Sequence, residues 1–119
     1  MTKGTDTLRP FMAEAETMRR RALDAGDQGY GAVVVKDGRV VGAAPSRVVT
    51  DSDATAHAEM EAIRDAARRL GSADLTGCTL VSTSHPCAMC ETAAYWAGVE
   101  RMVHGGALSD AGRPRYGGC

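Results

Sequence analysis

Two short runs hold residues whose types and spacing could do chemistry together. His57-Ala58-Glu59 is the first, and Pro86-Cys87-Ala88-Met89-Cys90 follows thirty residues later. One imidazole and two thiolates make three ligands for zinc. A four-coordinate ion then keeps a fourth position for water, which is the pattern of a catalytic site. Such a position lowers the pKa of water from about 15.7 to about 7. Cys87 and Cys90 are three apart and so share one helical face. A helix N-terminus and a metal both favour the thiolate. Glu59, two residues from His57, does not share its helical face. That position suits a carboxylate that moves protons beside the metal better than a fourth ligand.

Each half of the pattern is weak alone, since Cys-x-x-Cys also serves as a redox pair and His-x-Glu is common. Together, with Pro86 before the first Cys, they form the H-x-E…P-C-x-x-C signature of zinc deaminases. The competing reading is a closed structural zinc site. It needs a fourth ligand, with Cys78, His85, His104 and Cys119 as candidates, and it has no use for Glu59.

The elements that must position these residues follow from periodicity. Leu8, Phe11, Met12, Ala15, Met18, Ala22 and Leu23 predict a helix over 7–24. Tyr30–Lys36 reads as a buried strand, followed by Asp37-Gly38 and a second strand over Arg39–Ala44, a hairpin signal. Pro45–Thr55 reads as a loop. A helix over about Ala56–Leu70 is stopped by Gly71. A strand over Cys78–Ser84 leads into a helix over about Pro86–Ala97, closed by Gly98, with Pro86 in its first turn. Val99–His104 is a short strand, and Gly105–Cys119 has no clear period. The order α-β-β-α-β-α-β implies a mixed sheet, antiparallel in its opening hairpin and parallel afterwards through right-handed crossovers. Helices on its two sides would bring both runs to one sheet edge.

A chain of 119 residues suits a single domain over 1–119, with no internal repeat or linker. Aromatics make up 4% of it, so the core must come from Ala, Val, Leu, Ile and Met. Small cores are often helped by a metal or by oligomerisation. The net charge of −1 leaves no footprint for nucleic acid or an anionic membrane. No stretch is apolar enough to span a bilayer. The first ten residues lack a secretory core, and a cytoplasmic protein with free or metal-bound thiols is expected.

At these residues the chain resembles the cytidine deaminase superfamily, closest to the branch of guanine deaminases, cytosine deaminases and tRNA adenosine deaminases. The phrases that carry the likeness are Gly31-Ala32-Val33-Val34-Val35, Asp53-Ala54-Thr55-Ala56-His57-Ala58-Glu59-Met60 and Pro86-Cys87-Ala88-Met89-Cys90. The resemblance implies a three-layer α/β/α fold with a five-stranded mixed sheet. It also implies zinc on His57, Cys87 and Cys90, Glu59 as acid and base, and a homodimer. Substrate contacts would fall on the Ala58 amide and the His85 carbonyl. Tyr95-Trp96-Ala97 is similar to the guanine deaminase branch and makes Trp96 a candidate pocket residue. Asp110 lies where that branch carries an acidic base-recognition residue.

The chain departs from the family at Ser46, where an Asn usually binds the base, at Ala54 for Pro, and at His85 for Glu. Relatives commonly continue further after the position of Asp110, which implies a more open pocket here or one completed by a partner chain. The expected activity is hydrolytic deamination of a free nucleobase or similar aminated heterocycle, of guanine, cytosine or aminotriazine type, releasing ammonia. Adenosine deamination in a tRNA anticodon loop is the alternative. A non-enzymatic structural-zinc module ranks last.

Overall fold

A computed structural model describes residues 3–116. Its hairpin is built as the turn chemistry requires. Strands β1 (Gly31–Lys36) and β2 (Arg39–Pro45) pair antiparallel across Asp37-Gly38, and both turn residues have positive φ (52° and 73°). Ala32 to Val35 are all buried, so β1 is covered on both faces. β2 is buried only in part and forms a sheet edge.

Helices α1 (Lys3–Asp6) and α2 (Arg9–Asp24) precede the hairpin. Helix α3 (Ala58–Leu70), strand β3 (Thr79–Ser82), helix α4 (Ala88–Ala97) and strands β4 (Arg101–His104) and β5 (Ser109–Gly112) follow it. The sheet order is β2-β1-β3-β4-β5. Leu8, Met12 and Ala15 pack on Val33, Val35, Val81 and Val103 at one face. Ala58, Ala62, Ala66 and Ala94 pack with Ala32, Val34, Leu80 and Met102 at the other. These are the three layers expected, and the alternating valines of β1 feed both cores.

Two glycines let the layers close. A Cβ on Gly31 would lie 2.2 Å from the Ala15 carbonyl oxygen in α2. One on Gly42 would lie 2.6 Å from the Ala62 carbonyl oxygen in α3. Gly71 and Gly98 stop α3 and α4 in the left-handed conformation, as expected.

The strand directions depart from the sequence reading. After the hairpin, only β3 and β4 are parallel, whereas β1–β3 and β4–β5 are antiparallel. The crossover through α3 carries the chain back past β2 and seats β3 on the far side of β1. β1 rather than β2 is therefore interior, consistent with its unbroken apolar run. β5 lies in the stretch without a period. Pro86 stands before α4 rather than in its first turn, because Cys87 is the N-cap. No helix among the described residues is long and apolar enough to cross a membrane.

Candidate active site

α3 and α4 begin at one end of the sheet. His57 is the N-cap of α3 and Cys87 the N-cap of α4, both in extended backbone. Cys90 follows in the first turn of α4. His57 Nδ1 lies 3.6 Å from Cys87 Sγ and 3.6 Å from Cys90 Sγ, and the three donor atoms all lie within 4.8 Å of one another. A ring nitrogen has one proton or one lone pair to offer, so it cannot satisfy both sulfurs. A common cation can. With Zn–S of about 2.3 Å and Zn–N of about 2.0–2.1 Å, tetrahedral geometry separates N and S by roughly 3.6 Å. The donor set and its spacing fit zinc.

No fourth protein ligand joins this group among the described residues. Cys78 is sealed in the core. His85 and His104 meet each other edge to face, with ring centroids 4.6 Å apart. Cys119, the last candidate, lies outside the described residues. A three-ligand set leaves one coordination position open.

Glu59 sits in the first turn of α3 and is only 6% exposed. Burial pushes its carboxyl above the ordinary range, and its own backbone N–H and His57 offset only part of that. Cys90 is fully buried, and its thiol is pushed up by burial first and then by the charges of Glu59 and Cys87. A cation held among these donors reverses that penalty, since a coordinating thiol is deprotonated outright.

These groups open into a cavity of about 230 Å³. His57, Glu59 and Cys87 line it from the helix starts. Ser84 and His85 line it from the segment after β3, and Gln28 and Tyr30 from the segment before β1. The last two segments are stitched together: Gly31 N–H donates to Thr83 Oγ1 (3.1 Å), and Thr83 N–H donates to the Gly31 carbonyl (3.0 Å). Ala58 is the first residue of α3, where N–H groups have no acceptor within the helix. His85 Nδ1 lies 2.8 Å from the Pro86 carbonyl oxygen.

Three residues expected to meet the substrate stand elsewhere. Ser46 is 2% exposed and donates its hydroxyl to Asp27 Oδ1 at 2.9 Å. Asp110 is on β5, paired with Arg101 (2.9 Å) and accepting from Gly112 N–H (2.9 Å). It lines a separate depression with Gly4, Thr5 and Leu108. Trp96, near the end of α4, is 61% exposed and does not line the cavity.

Sequence reasoning missed Asp27, Gln28, Tyr30 and Ser84. Asp27 is buried and accepts hydrogen bonds from Gln28 N–H (2.7 Å), Ser46 Oγ (2.9 Å), Val49 N–H (3.0 Å) and Thr50 N–H (2.7 Å). Burial works to raise its carboxyl, but the bonds from Thr50, Gln28 and Ser46 win and hold it at about 2. A carboxylate placed just after a helix-ending glycine, before a polar loop of 45–55, was the available signal.

The chain is similar to several known proteins. It is 46% identical over 108 residues to tRNA(Ile)-lysidine synthase of Deinococcus deserti, covering 90% of this chain and 20% of that protein. It is 39% identical over 102 residues to guanine deaminase of Bacillus subtilis, covering 85% of this chain and 65% of that protein. It thus spans less than two thirds of either relative's length. A solved structure from work on A-to-I editing by tRNA:A34 deaminases superposes with a TM-score of 0.77 at 39% identity, covering 80% of this chain and 69% of the other. The family model for the cytidine and deoxycytidylate deaminase zinc-binding region matches residues 5–106. With His57, Cys87 and Cys90 converging as a zinc site inside that match, the chain belongs to the cytidine and deoxycytidylate deaminase family.

Proposed function

We propose that this chain hydrolytically deaminates a small aminated heterocycle, a free nucleobase or an analogue of guanine, cytosine or aminotriazine type. One observation carries the reading. A buried Glu59 lines the same cavity of about 230 Å³ as His57 and Cys87, two of the three converging donors. That volume is below the roughly 300–1,000 Å³ of pockets for drug-sized ligands and suits a small ring.

His57, Cys87 and Cys90 hold the zinc, which when bound supplies the Lewis acidity that makes water a nucleophile near neutral pH. Glu59 takes a proton from the attacking water and passes it to the ring nitrogen beside the amine-bearing carbon. A second transfer through Glu59 lets the amine leave as ammonia, so water and C–NH2 become C=O and NH3. The Ala58 N–H and the His85 carbonyl orient the ring. The homodimer of the same reading is supported by the exposed Tyr95, Trp96 and Tyr116. A cytoplasmic setting suits thiols that must stay reduced.

The similarity to tRNA-modifying proteins supports a second reading, deamination of adenosine in an RNA loop. A base splayed from a loop could enter the same cavity. Ammonia release from zinc-loaded protein separates the two. The panel holds guanine, cytosine, adenine, aminotriazines, their nucleosides and an anticodon stem-loop, with Glu59→Gln as control. Turnover of a small base, lost in the control, is the expected result. Turnover of the stem-loop alone would replace the first reading with the second. No turnover at all would sink both.

A further inference from the structure

Two polar side chains expected to recognise the ring, Ser46 and Asp110, do not line the cavity. Ser46 is shut away, its one hydroxyl proton given to Asp27 and its residue only 2% exposed. Asp110 is tied to Arg101 in a different depression. Tyr30, Ser84 and His85 line the cavity, but none of their side chains carries a carbonyl-type acceptor beside an N–H donor. Gln28 does. Its carboxamide sets an acceptor and two donors side by side in one plane.

Gln28 is also held in place. Its N–H donates to Asp27 Oδ1 at 2.7 Å, and its carbonyl accepts from Tyr30 N–H at 2.8 Å. Asp27 is itself fixed by the Ser46 hydroxyl and by the N–H groups of Val49 and Thr50. The backbone that carries the carboxamide is therefore anchored before any ligand arrives, while the residue itself is exposed.

Building on the deaminase reading of this site, we infer that Gln28 is the specificity-determining residue and that it reads a cyclic amide edge on the substrate. A planar carboxamide pairs in two hydrogen bonds with a ring that presents C=O beside N–H, as Gln and Asn pair with base edges elsewhere. The substrate class narrows accordingly. It is an amino-heterocycle that also carries a ring carbonyl, guanine-like or cytosine-like, rather than adenine or a carbonyl-free aminotriazine. The amine leaves from one part of the ring while Gln28 holds another.

The test compares wild type, Gln28→Met and Ser46→Ala across rings with and without a carbonyl. Zinc content and melting curves confirm that each variant is folded and loaded. Gln28→Met keeps the length and loses both hydrogen bonds. It should lower kcat/KM about 10- to 100-fold for carbonyl-bearing rings, mainly through KM. Slow turnover of carbonyl-free rings should change less than about 3-fold. Ser46→Ala, which only loosens the support, should lower all rings by a similar factor. Gln28→Met shifting every ring alike, or none, would overturn the inference, as would an edge-selective loss in Ser46→Ala. These failures differ from failure of the deaminase reading. In that case wild type turns over no ring, Glu59→Gln binds none in calorimetry, and the inference falls with the reading.

Discussion

Two carboxylates are buried near the cavity, one lining it and one bonded to the lining residue Gln28, and the two behave oppositely. Asp27, which does not line the cavity, and Glu59, which does, are almost equally hidden, at 7% and 6% exposed. Asp27 meets two backbone N–H groups from the 46–50 loop, the Ser46 hydroxyl and the Gln28 N–H. These bonds overcome the cost of burial and hold its carboxyl at about 2. Glu59 has its own backbone N–H and the nearby His57, and burial prevails, raising its carboxyl. The donors around the group decide its role rather than its depth. Saturated with donors, a carboxylate is a permanent anion that organises a loop. Left short of them, it holds its proton to higher pH than an exposed carboxylate does.

The largest expected effect is at Glu59. Glu59→Gln keeps the shape and removes the proposed proton carrier. Turnover should fall about 10²- to 10⁴-fold, the usual worth of general acid–base catalysis. Zinc content, measured by atomic absorption, should stay at the wild-type level, because Glu59 is not a ligand. A variant retaining more than a tenth of wild-type turnover would break the contrast between the two carboxylates.

A smaller effect is expected at Asp27, which supports the lining residue Gln28. Asp27→Asn removes the anion that gathers Ser46, Val49 and Thr50. With the support of Gln28 loosened, kcat/KM should drop about 10-fold, within the roughly 10²-fold that a 1 Å misplacement costs. The pH dependence of stability sharpens the point. The folded carboxyl, at about 2, lies below the ordinary aspartate value of 3.8. Its stabilisation is therefore fully present above pH 4 and is lost as pH falls through the folded value. Wild type should melt higher than Asp27→Asn at pH 7, and the gap should narrow between pH 4 and pH 2. A gap that stays constant over that range would mean the charge of Asp27 contributes nothing.

The sequence made the zinc donors legible because they are consecutive with helix starts. N-caps at His57 and Cys87 fix where the side chains stand, and local rules of spacing carry that far. The three layers were legible too, since Val33 and Val35 alternate with Ala32 and Val34 between two cores. The far wall was not. A parallel β1–β3 pairing would put the start of β1 at the opposite end of the sheet from Ser84 and His85. The observed antiparallel register sets Ala32 against Ser82, and that brings Gln28 and Tyr30 to the site. Strand direction is a long-range choice made by which edge of the hairpin accepts β3, and no local period reports it. The setting of Ser46 is hidden from the sequence for a related reason. Its hydroxyl is claimed by a residue nineteen positions away, a partnership invisible until the chain is folded.

The smallest effect is expected at the other end of the sheet, and it bounds the comparison. Asp110 also has a lowered carboxyl, held down first by the Arg101 side chain and then by Gly112 N–H. It resembles Asp27 in direction, yet its side chain is 46% exposed. Water screens an exposed pair, so Asp110→Ala should cost less than about 0.5 kcal/mol, a fall in Tm of no more than about 3 °C. Turnover should stay within about 2-fold of wild type, because the residue faces a depression that shares no lining residue with the cavity of Glu59. Scanning calorimetry and the ammonia assay check both numbers. A loss of turnover matching that of Asp27→Asn would bring β5 back into substrate recognition. It would also mean that the two depressions act as one site when a ligand is bound.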